Sequence, residues 1–287
     1  MIPRRCRVVV AVGAHWDELF RFERSPRTGE SHPATVSETI GGCGFNLAAA
    51  LARAGHEVVH AGLRGDDGRG AALAEGLAAR GIVDAGLAVP GAATGRYAAF
   101  VGPDGSVAMA AAAMGVYDHA GLLADHAPFR DALDGADAIV LDANAPPEAL
   151  VALASTARAR LVLLATSASK VRAIGPLVPR AAVMFANEVE WDAMEGAGIA
   201  PPAVAFVTRG ADGAECRRYG EVSERAPSRA AGVVDVIGAG DAFAAGTIDA
   251  WLAGSSERDA MEQGLDWAAR CLSHSHALGW LDGVGEA

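Results

Sequence analysis

Short apolar runs and polar, alternating stretches divide the chain into segments of distinct kind. Residues 8–12 are apolar and β-branched and close at Gly13, the pattern of a buried strand. Residues 46–54, rich in Ala and Leu and stopped by Gly55, predict a helix, and residues 58–62 resume as a strand. From Asp131 onward, strand-like runs at 138–141, 161–165, 183–186 and 204–208 alternate with helical segments. That alternation predicts an α/β fold, a doubly wound and largely parallel sheet with helices on both faces. Ligands on such sheets bind at the carboxyl ends of the strands, so Asp142, Asn187 and Thr208 become candidates by position. Two stretches depart from the pattern. Residues 18–40 and 95–113 are short, polar alternations, the second around a turn at Pro103-Asp104-Gly105, and they predict a small exposed sheet.

Length and composition narrow the picture further. At 287 residues, 51% hydrophobic and 21% charged, the chain is long enough for one large α/β domain with a small appendage, or two domains sharing a cleft. A formal net charge of −11 disfavours nucleic acid or an anionic membrane as partner and points to a small molecule. Lys170 is the only lysine, a compositional bias from which no function is argued. Cys6, Cys43, Cys216 and Cys271 show no CxxC spacing, and no signal-like segment opens the chain, so a reduced, cytoplasmic, zinc-free protein is expected. No apolar run reaches the ~20 residues of a membrane-spanning helix.

The chemistry concentrates in two glycine clusters. In VDVIGAGDAFAAG, residues 234–246, Gly238, Ala239 and Gly240 run directly into a helical stretch. Small residues there admit a ligand to the backbone, and the unpaired N–H groups of a helix start attract an anion. Asp241 would repel that anion, yet it is placed to take a proton from an incoming hydroxyl; the alternative is that it only caps the helix. In GGCGFN, residues 41–46, Asn46 offers a donor and an acceptor to vicinal hydroxyls or else caps its helix. Neither cluster is a Walker motif or a dinucleotide fingerprint, which disfavours a P-loop ATPase and a NAD-dependent oxidoreductase.

Taken together, five segments in order resemble the PfkB, or ribokinase-like, family of carbohydrate and nucleoside kinases. They are GGCGFNLAAALARAG, AGLRGDDGRG, NEVE, VTRGADG and VDVIGAGDAFAAG. The resemblance covers nearly the whole chain and implies a single kinase domain over residues 1–287, with strands within about 18–40 and 95–113 forming a lid. It implies an ATP-dependent phosphotransferase in which Asp241 is the catalytic base and the amides of Gly238, Ala239, Gly240 and Asp241 form an anion hole. It further implies that Asp17, Gly42 and Asn46 bind the sugar or nucleoside, and that Asn187, Thr208 and Gly210 bind ATP. Glu190 would act on Mg²⁺ through water. Thr208 and Asp17 keep a plainer alternative, a strand end and a turn residue.

Asp235 matches a position that binds potassium in many relatives, but Val236 and Ile237 stand where threonines are usual, which leaves Asp235 and backbone carbonyls as the only donors for K⁺. Lid sheets in this family often pair between subunits, which implies a homodimer. Within the family, residues 94–121, LDANAPPEAL and SASKVRAI are similar to the subgroup that phosphorylates pseudouridine at its 5′-hydroxyl. Ribose, fructose, a keto-sugar acid or a purine nucleoside is the alternative acceptor, and a catalytically silent sugar- or nucleotide-binding protein is the alternative of another class. His274 and His276 are left as candidates for an adenine pocket or as ordinary residues.

Overall fold

Strands covered on both faces need unbroken apolar runs, and those runs form the centre of the protein. The computed structural model describes residues 5–11, 13–27, 29–103 and 107–282. A nine-stranded sheet runs in the order β15 (Glu221–Ala226), β14 (Ala214–Arg218), β13 (Val204–Thr208), β12 (Val183–Asn187), β11 (Arg160–Leu164), β10 (Ala138–Asp142), β1 (Arg7–Ala11), β4 (Glu57–His60) and β6 (Val83–Asp84). All its neighbours pair in parallel from β13 to β6, while β14 runs antiparallel to both β13 and β15.

The side-chain period of two splits each central strand between two cores. Val8 and Val10 face one cluster with Ala138 and Val140, whereas Val9 and Ala11 face the other with Ile139 and Leu141. Helices α1 (Cys43–Arg53), α2 (Gly68–Ala79), α6 (Ala239–Leu252), α7 (Glu257–Leu272) and α8 (Gly279–Asp282) cover the first face. Helices α3 (Ala127–Leu133), α4 (Pro147–Thr156) and α5 (Glu188–Gly196) cover the second. The expected doubly wound α/β fold is therefore present. Chain order reverses at β1, between β10 and β4, which places the ligand crevice beyond the ends of β1 and β10.

The two polar stretches do pair. They contribute β3 (Ala34–Gly41), β2 (His15–Phe22), β8 (Arg96–Val101) and β9 (Val107–Ala113), in that order, to a separate four-stranded sheet. A two-stranded ribbon of β5 (Leu63–Gly65) and β7 (Leu87–Val89) completes the strands described. Val12, Asp104 and Gly105, expected in the first strand and in a turn, lie outside the described residues. The β14–β15 hairpin was not foreseen: its turn, Tyr219-Gly220 with both φ positive (51° and 89°), lacks the usual Asn-Gly signal and joins largely polar strands.

Glu18 ties the small sheet to the body. Only 5% exposed, it accepts from Arg96 Nη2 of its own sheet at 2.7 Å and from Arg69 Nη2 of α2 at 2.9 Å. The hydrogen bond from Arg96, with the charges of Arg96 and Arg69, outweighs burial and holds the Glu18 carboxyl below the usual glutamate value. A lowered folded pKa means that this stabilisation is present above the unfolded value near 4.3 and is lost as pH falls through the folded value. Glu18→Gln should therefore lower the unfolding free energy by about 1 kcal/mol at pH 7 and flatten the acid limb of a stability profile measured by urea titration. Equal urea midpoints at pH 7 would show that the latch contributes nothing.

Candidate active site

Two helix starts meet at the centre of the crevice. The turn before α6 places Gly238 at φ 82° as N-cap with no side-chain cap; a Cβ there would run into Ala277. The N–H of Ala239 turns back to the Val236 carbonyl at 3.3 Å, whereas among the described residues the N–H groups of Gly240 and Asp241 have no backbone acceptor. A Cβ on Gly240 would meet nothing within 4 Å, so the space before these amides is open. At the neighbouring helix start Gly42, at φ 91°, is the N-cap of α1 and accepts from Asn46 N–H at 3.0 Å. Asn46 Nδ2 then donates to Asp241 Oδ2 at 2.8 Å, joining α1 to α6. Its Oδ1 is buried with no hydrogen bond, an acceptor waiting for a donor.

Burial pushes the Asp241 carboxyl up to about 6. The bond from Asn46 works against that shift, while the charges of Asp17 and Asp142 add to it. At neutral pH this is an ionised oxygen base with appreciable proton affinity, in the same cavity as Gly240.

Three cavities converge here. One of about 530 Å³, under the small sheet, is lined by Asp17, Asn46, Phe45, Asp235 and His276. A second of about 300 Å³ gathers Asn187, Glu190, Thr208, Gly240 and Asp241. A third of about 610 Å³ shares Thr208 and Gly240 with the second and adds Gly210 and an apolar wall including Val233, Leu265 and Leu272. The Asn46–Asp241 bond thus connects the first cavity to the second, and Gly240 connects the second to the third.

The candidate residues take distinct places within this arrangement. Asn187 and Glu190 form a capping box at the start of α5: Asn187 Oδ1 accepts from Glu190 N–H at 2.8 Å and Glu190 Oε2 from Asn187 N–H at 2.9 Å. Burial, with the charge of Asp241, raises the Glu190 carboxyl despite the Asn187 N–H bond. Asp17 sits 3.1 Å from His15 Nε2 and lies against Gly41, where a Cβ would displace it. Gly42 precedes Asn46 on the same turn, packed so closely that a Cβ would stand 2.6 Å from the Gly13 carbonyl. Asp142 lies beneath the floor, 2% exposed, accepting from Gly13 N–H, Cys43 Sγ and Asn144 Nδ2. Lys170 Nζ donates to Asn144 Oδ1 at 2.6 Å, which joins the sole lysine to this group. His276 lines the first cavity, away from the apolar third.

Two further basic side chains escaped the sequence. Arg80 lines the first cavity, and Arg21 reaches Asp235 Oδ2 at 3.3 Å across 214 positions of sequence, a pairing that no local pattern announces. Among the described residues, no three His, Cys, Asp or Glu side chains converge as a metal site.

Residues 7–279 match the pfkB family of carbohydrate kinases. The chain belongs to that family. An ATP-dependent ribose-1-phosphate kinase of Halopiger xanaduensis is 31% identical over 279 residues, 92% of this chain and 90% of that protein. A carbohydrate kinase from Agrobacterium tumefaciens superposes with TM-score 0.79 at 31% identity, covering 93% of this chain and 91% of that one. Ribokinase of Arabidopsis thaliana, solved with ribose and ATP, superposes with TM-score 0.79 over 96% of each chain at 21% identity, a likeness of fold. This PfkB member is accordingly an ATP-dependent kinase of the sugar and nucleoside class.

The raised Asp241 value makes a prediction about stability. A folded pKa of about 6 against an ordinary value of 3.8 means that the folded state binds this proton more tightly, so stability falls as pH rises between those values. Asp241→Asn should thus be more stable than the parent at pH 7, by on the order of 2 kcal/mol for a half-buried group, with the difference shrinking toward pH 4. Thermal unfolding at both pH values checks this; a less stable variant at pH 7 would mean that the carboxylate is not desolvated.

Proposed function

We propose that this kinase transfers the γ-phosphoryl group of ATP to the 5′-hydroxyl of a ribosyl acceptor carrying a substituent at C1, pseudouridine first among them. The observation that carries the reading is the position of Asp241, bonded to Asn46 of the first cavity while lining the second beside Gly240, whose N–H has no backbone acceptor among the described residues. The acceptor's hydroxyls would meet Asp17 and the unpartnered Oδ1 of Asn46. Asp241 would take the proton of the 5′-hydroxyl as its oxygen attacks phosphorus, and the N–H groups of Gly240 and Asp241 would hold the charge on the transferring phosphoryl oxygens. Thr208 and Gly210 would flank the nucleotide, its base lying on the apolar wall of the third cavity.

Glu190 fits a magnesium ion held through water, since Oε2 is occupied by Asn187 N–H and Oε1 is left at the phosphoryl cavity, beside Asn187. Bound there, Mg²⁺ supplies positive charge to the phosphate oxygens. The small sheet would act as the lid that keeps water from competing with the acceptor. Its outer strand β9 is exposed throughout, with Val107 and Met109 at 54% and 61%, which supports a homodimer built by pairing lids. Four free thiols, none paired in a disulfide, support a reducing, cytoplasmic setting.

Pseudouridine is favoured by the apolar surface that Leu19, Ile40, Phe45 and Leu278 offer to a base in the first cavity, together with the subgroup likeness of the sequence. A second reading, ribose 1-phosphate, is favoured by Arg80 and His276 on the same cavity, suited to a phosphate at C1, and by the Halopiger relative. ATP consumption by purified protein, measured against pseudouridine, ribose 1-phosphate, uridine, adenosine, ribose, fructose and 2-keto-3-deoxygluconate, separates them. Turnover dominated by ribose or fructose would overturn both.

Asp241→Asn should lower turnover by about 10² or more while acceptor binding persists, and parental kcat should fall as pH drops through about 6, where Asp241 takes up a proton. Near-parental turnover in the variant would remove Asp241 from its role as base. Gly240→Val should weaken nucleotide binding and turnover together, because its side chain would fill the open space before the amides.

A further inference from the structure

Asp235 stands in the turn that leads to the free amides of α6, where the resemblance implied a monovalent cation. The groups present do not fit one. Both carboxylate oxygens already have partners: Oδ1 accepts from Ile237 N–H at 3.0 Å and Oδ2 from Arg21 Nη2 at 3.3 Å. Val236 and Ile237 contribute no side-chain oxygen, and Val236 is 68% exposed. The carbonyls of Ile237 and Ala277 both face the Cys271 thiol, at 3.5 Å each.

The lid strand explains how Arg21 arrives there. On β2 the period of two sets Asp17, Leu19 and Arg21 on one face, and Asp17 and Leu19 line the acceptor cavity. The opposite face is fixed by ring stacking of Phe20 and Phe22 on Phe100, with centroids 5.0 and 6.2 Å apart. The strand face that meets the acceptor therefore also delivers a guanidinium to the phosphate-binding turn. From there the connection is short: Asp235 holds Ile237 N–H, Gly238 follows at φ 82°, and the amides of Gly240 and Asp241 come next.

We propose that the Arg21 guanidinium is the resident cation of this turn, a positioning residue that fixes Asp235 and the phosphate-binding amides when the lid is down, so that the kinase needs no monovalent cation. Lifting the lid would leave the Asp235 carboxylate uncompensated beside incoming phosphates, which repels them; closing it removes the repulsion and steadies the turn. Occupancy of the acceptor cavity is thereby coupled to assembly of the phosphate site. The proposal rests on the phosphotransferase chemistry of the family and not on which acceptor is used.

The test compares the parent with Arg21→Gln and Arg21→Lys in buffers whose only monovalent cation is potassium or tetramethylammonium. Rates are read with pseudouridine and with ribose 1-phosphate, and calorimetry reads the affinity for magnesium AMP-PNP without any acceptor. Parental kcat should agree within about twofold between the buffers, and Arg21→Gln should lower kcat about tenfold, more than it raises the acceptor KM, with partial recovery in Arg21→Lys. A parent about tenfold slower in tetramethylammonium would restore a monovalent ion to Asp235 and overturn the proposal. Arg21→Gln with unchanged kcat and a raised acceptor KM would overturn it too, by making Arg21 an acceptor contact alone. Should neither acceptor turn over, magnesium AMP-PNP decides: affinity weakened by Arg21→Gln but indifferent to potassium in the parent supports the proposal, and affinity indifferent to Arg21→Gln sinks it.

Discussion

The hydrogen bond from Asn46 to Asp241 depends on two helices lying side by side with their first turns level. Helix α1 permits this with Leu47, Ala48, Ala49 and Ala50, and α6 with Ala242, Ala244 and Ala245, all buried in the same cluster. Gly246 lies against Trp267 and Gly264 against the Phe243 carbonyl, each too close to admit a Cβ, so α7 packs tightly on α6. Larger side chains at these positions would part the helices, break the bond and admit water to Asp241. The proton affinity of that carboxylate thus follows from small side chains and bare backbone along the helices around it.

Much of the site's charge is negative, in a protein whose formal net charge is already −11. Asp17, Asp142, Asp235, Glu190 and Asp241 all stand around or beneath the crevice, yet no two are satisfied in the same way. Asp142 is met by backbone N–H, a thiol and an amide, Asp235 by a guanidinium, and Glu190 by the N–H of its own capping box. Asp241 has one neutral donor and, besides its burial, bears the charges of Asp17 and Asp142, which is why it is raised so far. Unequal compensation among like charges sets one carboxylate apart in proton affinity, which suits the role proposed for it.

How much of this could be read from the chain varies with the range of the interaction. The four strand runs after Asp131 were legible because burial on both faces demands continuous apolar residues, and the structure places strands on each of them. The small sheet was legible because alternation signals a half-exposed sheet. Gly238 and Gly240 were legible as small residues at a helix start, though not their different tasks, one confined by Ala277 and the other left open. The substrate role expected of Gly42 came from the family resemblance, and only the fold shows how tightly Gly13 and His15 close around it. Arg21 with Asp235, and Glu18 with Arg69, join residues whose proximity is created by the small sheet packing on the body. One-dimensional patterns carry no trace of such pairs, since an arginine on a polar strand reads as solvated.

The uncapped start of α6 has a bearing on the life of the protein as well as on its chemistry. A helix whose leading N–H groups lack acceptors is less well satisfied empty than with an anion bound, so on the proposed reading the folded state would gain stability in proportion to the logarithm of nucleotide concentration over its dissociation constant. Proteolysis that proceeds through transient opening would then remove the protein faster when cellular nucleotide runs low. Its abundance, through nothing more than an unfilled helix end, would track the energy supply on which its reaction draws.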